Sequence, residues 1–332
     1  MQAQRRRSVM APLLLAAVVM FAWGMASVVL SVGPHAASAA PTGEKEQATL
    51  PSAAQASLTA LLHPGAGMPH GKDPGANIPP GKAGPTLEYS YNWAGYVDVA
   101  KSVGETYEVT ANWYVPKIVS CGESSGTAVE VQWIGIDGWN NGNVSQVGTM
   151  SYCSGPGATP AYYDWWEFYP YNDIQTVAHS SAGAYVSAYV LYNPGEEVNG
   201  HAGVYTLELY DVDNSVNFVE TGGAWVCETS SGHHVCEGGP DAGAECISEA
   251  PSGFGHPGYD PLAQYKTTTF YGCATTIGSH FAGIGNQASV GTVYQVDQCN
   301  YTACTRILQA TGGLSTYFYT DSKFTITWKA YD

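Results

Sequence analysis

The sequence has 332 residues and a formal net charge of −16 at pH 7. From residue 86 onward, 25 Asp and Glu stand against six Lys and Arg, which disfavours nucleic acid and anionic membranes as partners. All eight cysteines lie in this same region, and an even number is typical of an exported protein with disulfides. Neighbouring cysteines suggest two pairs, Cys227 with Cys236 and Cys299 with Cys304.

The first 39 residues are typical of an export signal. Arginines at positions 5–7 precede an apolar run at 9–33, and small residues follow at 36–40. We therefore expect cleavage after Ala39 and a secreted, extracellular protein. The apolar run is also long enough to span a bilayer, so an uncleaved membrane anchor is the alternative.

Residues 40–85 indicate a propeptide that ends in a linker. Six Pro and six Gly occupy the 22 positions from 64 to 85, a composition that cannot bury a core. A plain spacer would have the same composition. Residues 86–332 then form a single domain.

The domain is predicted to be all-β, because apolar and polar residues alternate with period two. In residues 105–116, five apolar side chains from Tyr107 to Val115 share one face, and Phe324, Ile326 and Trp328 repeat the pattern. Similar runs lie near 91–99, 128–137, 144–150, 162–169, 184–192, 203–210, 266–272 and 291–297. The pattern favours a sandwich of antiparallel sheets with little helix.

One hairpin can be predicted in register. Asn141 and Gly142 lie between two extended runs and suggest a two-residue type I′ turn. That turn would place Asp137 opposite Gln146, where the carboxylate could support the carboxamide across the ladder. A longer loop would shift the register and separate them.

The candidate chemistry consists of carboxylates and carboxamides among aromatic residues. Glu245 and Glu249 lie four residues apart, about 13 Å along a strand, so neither can be the other's catalytic partner. Glu167 shares a strand face with Tyr163, Trp165 and Tyr169, which suits either a plain aromatic strand or a cleft wall. No Cys-x-x-Cys or His-Glu-x-x-His motif occurs, so no metal or other cofactor is expected.

Five segments in order resemble the glutamic endopeptidase family, the eqolisins. They are NWAG (92–95), WIGIDG (133–138), SQVGT (145–149), WWEFYP (165–170) and AECISEAP (244–251). The resemblance covers about residues 91–331. It implies two bent antiparallel sheets in a concanavalin-like jelly roll, and a pepstatin-insensitive acid endopeptidase that acts on protein or peptide substrates without a cofactor. We also expect the protein to be a monomer.

The resemblance also implies the site residues. Gln146 of SQVGT and Glu249 of AECISEAP match the catalytic pair. The substrate-binding and orienting residues are Trp93, Trp133, Asp137 and Glu167. Glu249 would act as general base on a water, and the Gln146 amide would stabilise the oxyanion.

Departures from the family pattern leave alternatives. Cys246 stands in place of an aromatic residue and Ser248 in place of an apolar one, and Glu228 is a rival for the catalytic glutamate. An aromatic sheet face would also suit a carbohydrate-binding module or lectin. A glycosidase would need Glu167 and Glu249 about 5 to 10 Å apart. An inactive relative kept for structure is a further reading.

Overall fold

The computed structural model of the protein describes residues 85–122, 126–139, 141–230, 233–251, 260–287, 290–299, 308–311 and 322–330. The predicted signal and linker therefore lie outside the described residues, except for position 85. In chain order the strands are β1 (Thr86–Ser90), β2 (Trp93–Ala100), β3 (Thr106–Tyr114), β4 (Ala128–Ile136), β5 (Val144–Cys153), β6 (Ala161–Tyr169), β7 (Asn172–His179), β8 (Tyr185–Val198), β9 (His201–Asp211), β10 (Val216–Gly222), β11 (Val226–Ser230), β12 (His233–Glu237), β13 (Gly243–Glu249), β14 (Thr267–Ile277), β15 (His280–Gly283), β16 (Gly291–Cys299), β17 (Leu308–Thr311) and β18 (Phe324–Trp328). A 3-10 turn at Ile284–Asn286 follows β15. Within these ranges no helix is long and apolar enough to cross a membrane.

The strands form a sandwich, as predicted. Sixteen of the described strands form one continuous hydrogen-bonded sheet in the order β10-β9-β8-β3-β14-β18-β17-β16-β2-β13-β4-β5-β6-β7, with β1 beside β16 and β15 beside β14. Strands β11 and β12 form a separate two-stranded sheet. Among the described strands, every strand-to-strand pairing is antiparallel except β1 with β16, and an isolated bridge between Val129 and Leu262 is also parallel. This sheet bends back on itself, so that the layer with β8, β3 and β14 packs against the layer with β13, β4 and β5.

Alternate side chains of the two layers build the main core between them. Val109, Ala111 and Trp113 of β3 are buried there, as the alternation predicted. Hydrogen bonds also join the layers: Trp113 Nε1 donates to Thr149 Oγ1 at 3.0 Å, and Thr268 Oγ1 donates to Gln132 Oε1 at 2.9 Å.

The opposite face of the β13 layer carries a second apolar cluster. Its buried members include Trp93, Val97, Val131, Trp133, Met150, Trp165 and Ile247. All the candidate site residues on β4, β5, β6 and β13 point to this face, which we call the site face.

Among the residues that the structure describes, two disulfides connect distant segments. Cys121 pairs with Cys153, and Cys246 on β13 pairs with Cys273 on β14. Cys246 therefore replaces the aromatic residue of the family pattern with a covalent link. Cys227 lies opposite Cys236 in the β11–β12 ladder, but their side chains and Cys304 are outside the described residues.

The predicted hairpin register is wrong by two residues. Gln146 lies opposite Gly135, not Asp137, and Trp133 lies opposite Gly148. The strands end at Ile136 and begin again at Val144, so a seven-residue loop replaces the two-residue turn. Among the described residues of this loop, the positive φ angles are those of Asp137 (70°) and Gly138 (106°).

Candidate active site

The strand register arranges the candidate residues of the site face in two rows. One row crosses four strands, from Glu245 through Gly135 and Gln146 to Glu167. Glu249 lies four residues further along β13, which is about 13 Å, and pairs with Trp93 and Val131.

Glu249 is held by two hydrogen-bond donors. Asn92 Nδ2 donates to Oε1 at 2.7 Å, and Trp133 Nε1 donates to Oε2 at 2.9 Å. Burial raises the pKa of Glu249 to about 7, and the hydrogen bonds from its neighbours act in the opposite direction. The residue is half-buried, and the two donors fix the orientation of its carboxylate.

The indole rings of Trp93 and Trp133 lie beside the carboxyl of Glu249. Their rings meet edge to face with centroids 4.8 Å apart, and Trp93 stacks against Trp139 at 6.1 Å. Because Trp133 Nε1 is bonded to Glu249, its indole is fixed in position on the site face.

Gln146 is oriented by Glu167. The amide Nε2 donates to Glu167 Oε2 at 2.6 Å, and both side chains are buried. A carboxamide nitrogen carries two hydrogens, so the second N–H remains for another acceptor. Gln146 Oε1 has no hydrogen-bond partner within the part of the chain that the structure describes.

Gln146 and Glu249 lie on one face but are not in contact. They are two strands and four residues apart, roughly 16 Å between Cα atoms by ladder and strand spacing. Trp133 lies between them. Its Nε1 reaches Glu249, and its Cζ3 lies 2.9 Å from the position that a Cβ of Gly135 would take beside Gln146.

Asp137 connects the β4–β5 loop to the segment before β13. Its carboxylate accepts hydrogen bonds from the backbone N–H groups of Asp241 at 2.9 Å and Ala242 at 3.0 Å, and from Asn141 at 3.2 Å. Burial raises the pKa of Asp137, while these donors oppose the rise. The residue is 1% exposed, so its described contacts tie the loop to the strand that carries Glu249.

Glu245 is the carboxylate in the same row as Gln146. It is fully buried, and neither of its oxygens has a hydrogen-bond partner among the described residues. Burial, then the charges of Asp137 and Asp98, raise the pKa of Glu245 well above its ordinary value. Both glutamates thus have a raised pKa, but the hydrogen bonds to Glu249 oppose the rise, whereas burial and the two charges all act in the same direction on Glu245.

The structure locates two alternatives that the sequence left open, Glu228 as the catalytic glutamate and Glu167 with Glu249 as a glycosidase pair. Glu228 lies on β11, which pairs with β12 outside the main sheet, and its side chain is not among those described. Glu167 and Glu249 lie three strands and four residues apart, roughly 19 Å between Cα atoms. The Glu167 carboxylate accepts a hydrogen bond from Gln146 and does not face Glu249, so the structure does not bring the two carboxyls together as a glycosidase pair.

Sequence reasoning missed Asn92 as a contact of Glu249. It lies inside the NWAG motif, so its position beside Trp93 was the available signal. Among the described residues, no group of three or more His, Cys, Asp and Glu side chains could hold a metal ion.

Comparison with known proteins gives one family and several similar structures. The model of the Peptidase A4 family matches residues 91–312. The crystal structure of scytalido-glutamic peptidase with a transition state analog inhibitor matches 72% of this chain and 98% of its own, at 19% identity and a TM-score of 0.49. The structure of SCP-B, a member of the eqolisin family, in a complex with a tripeptide Ala-Ile-His has the same coverages at 18% identity and a TM-score of 0.43. Aspergilloglutamic peptidase from Aspergillus niger matches 60% of this chain and 99% of its own at 17% identity and a TM-score of 0.40. A comparison with curated protein sequences finds no match. The family model spans well over half of the chain, which therefore belongs to the Peptidase A4 family, the glutamic endopeptidases.

Proposed function

We propose that the protein is a secreted acid endopeptidase, made as a proenzyme, in which Glu249 and Gln146 act on the two sides of the scissile peptide bond. The observation that carries the proposal is the environment of Glu249. It is a half-buried residue whose carboxylate accepts two hydrogen bonds, on the same face as an amide that keeps one N–H for an oxyanion.

The two groups do not need to touch. An attacking water on the base, the carbonyl carbon, and an oxyanion bonded to the amide together span about 6 to 8 Å. Substrate bound over Trp133 would fill the space between Glu249 and Gln146. The Cα atoms of Glu249 and Gln146 are roughly 16 Å apart. Substrate binding therefore has to bring the carboxylate of Glu249 and the amide of Gln146 to within about 6 to 8 Å of each other.

Each step conserves atoms and charge. Ionised Glu249 takes a proton from the water while the water oxygen attacks the carbonyl carbon, and the carbonyl electrons move to oxygen. The Gln146 N–H stabilises that oxyanion, and Glu167 keeps the amide turned the right way. When the C–N bond breaks, Glu249 returns its proton to the leaving amine and is a carboxylate again.

Secretion and proenzyme maturation are supported by the N-terminal sequence. The apolar run at 9–33 precedes small residues, and the Pro- and Gly-rich stretch ends at the start of β1. We also propose that the mature form is a monomer that cleaves proteins or peptides and needs no cofactor.

The test is an activity assay with matched variants. The full chain is held at pH 3 to 4 for maturation and assayed on denatured protein from pH 3 to 7 with pepstatin present. Gln146→Ala should lose about 100-fold in kcat because one oxyanion donor is gone, whereas Gln175→Ala, an exposed glutamine on β7, should not. Full activity in Gln146→Ala, or glycan binding without proteolysis, would contradict the proposal.

A further inference from the structure

Ser90 and Asn92 form a hydrogen-bonded relay that ends on Glu249. Both residues are buried, with 0% and 1% exposure, in the tight connection between β1 and β2. Asn92 Nδ2 donates to Glu249 Oε1 at 2.7 Å, and Ser90 Oγ donates to Asn92 Oδ1 at 3.0 Å.

The direction of the relay is fixed by the hydroxyl of Ser90. A hydroxyl has one donor and two acceptor sites. The backbone N–H groups of Asn92 and Trp93 donate to Ser90 Oγ at 3.3 and 3.1 Å, which uses both acceptor sites. The Ser90 proton must therefore go to Asn92 Oδ1, so the NH2 of Asn92 faces Glu249.

The other groups around the carboxyl carry no charge. Trp93 and Asn92 face it from the β2 side, and Trp133 faces it from β4. The influences on its ionisation are burial and the side chains of these three uncharged residues, with no charged group among them. A change in one donor therefore has no neighbouring cation to compensate for it.

We propose that Asn92, oriented by Ser90, is a positioning residue that holds the Glu249 carboxylate ionised and aligned for proton transfer from water. The inference rests on the proposed role of Glu249 and adds the residues that keep it in its working state. A donor to the ionised form favours that form, so the relay extends the activity of the base toward lower pH.

The test is the pH dependence of kcat/KM in variants of the full chain after maturation. The acidic limb of this profile is the pH range in which kcat/KM falls as the pH is lowered. In Asn92→Ala this limb should shift to a pH higher by about one unit, since the ionised form of Glu249 loses one hydrogen-bond donor. The loss in kcat/KM should then be about tenfold well below the limb and should shrink above it. A residue with only a structural role would not move the limb.

Three further variants complete the experiment. Ser90→Ala should shift the limb in the same direction by a smaller amount. Ser90→Thr, which keeps the hydroxyl, should have its limb at the same pH as the parent protein. Asn112→Ala removes an amide on β3 that donates to Tyr271 O at 3.4 Å, far from Glu249, and should leave the limb in place. If Asn92→Ala does not fold, Ser90→Ala gives the same readout.

The outcomes separate this inference from the proposed function. An unmoved limb in both Asn92→Ala and Ser90→Ala, with Glu249→Gln inactive, would overturn the relay alone. Normal digestion by Glu249→Gln would overturn the proposed function, whatever the limb does.

Discussion

At the scale of single residues, the chemistry depends on how one carboxyl is surrounded. Glu249 and Glu245 lie on the same strand and the same face, yet Glu249 has donors from Asn92 and Trp133 while Glu245 has none among the described residues. The donors favour ionisation, and their absence favours the neutral acid. Two glutamates four residues apart can therefore have opposite roles.

The surroundings of Glu249 predict the position of its acidic limb. A general base must be ionised, so kcat/KM falls as pH drops through its pKa. Burial raises that pKa to about 7 from a free value of about 4.3. We expect the acidic limb between these two values in the matured enzyme, measured with a peptide substrate of constant charge. A limb well below pH 4 would contradict this environment.

At the scale of elements, the alternation of apolar residues predicted the strands that surround the site, and β2, β4, β5 and β6 all form where expected. The pattern could not give the β4–β5 register. Asp137 adopts positive φ and binds the backbone of Asp241 and Ala242, more than a hundred residues away. A distant contact thus overrode the local turn signal of Asn141 and Gly142.

The same hairpin gives a prediction on stability. A Cβ on Gly148 would lie 2.2 Å from Gln132 O and 2.6 Å from Trp133 Cβ, and these atoms cannot move easily. Gly148→Ala should therefore lower the free energy of unfolding by about 2 kcal/mol or more. Gly142 has nothing within 4 Å of its added Cβ, so Gly142→Ala should change it by less than about 0.5 kcal/mol.

Denaturant unfolding of the two variants measures this difference. It also tests the loop, because a type I′ turn would need positive φ at Gly142 and would penalise alanine there. A marked loss of stability in Gly142→Ala, or none in Gly148→Ala, would contradict the observed register.

At the scale of the whole molecule, the fold buries carboxyls with few cations to balance them. Burial raises the pKa of Asp98 and Asp241 to about 7 and of Glu130 and Asp164 to about 8. Composition showed the shortage of cations but not which carboxyls would be buried, because that depends on strand register and layer packing.

These raised pKa values predict a protein that is most stable in acid. Between about pH 4 and pH 8 the folded state binds more protons than the unfolded chain, so the free energy of unfolding falls as pH rises. We expect the melting temperature to be highest near pH 4 and to fall toward pH 8. Calorimetry across this range measures it, and a maximum near pH 7 would contradict the account.

A variant at Glu130 tests how much one buried carboxyl contributes to the fall of melting temperature with rising pH. Glu130 accepts hydrogen bonds from Ser248 and Ser151 inside the sandwich, and Glu130→Gln removes its ionisation while keeping its size. The fall in melting temperature should be shallower in Glu130→Gln than in the parent protein. Glu196→Gln, at an exposed position, should leave the slope unchanged.

The central claim is that Glu249, and not its neighbour Glu245, is the base that activates water. The most direct measurement compares kcat for Glu249→Gln and Glu245→Gln after the same maturation, with near-UV circular dichroism to show that both are folded. The account predicts that Glu249→Gln loses activity by at least about 100-fold and Glu245→Gln by less than about tenfold. An active Glu249→Gln beside an inactive Glu245→Gln would contradict it.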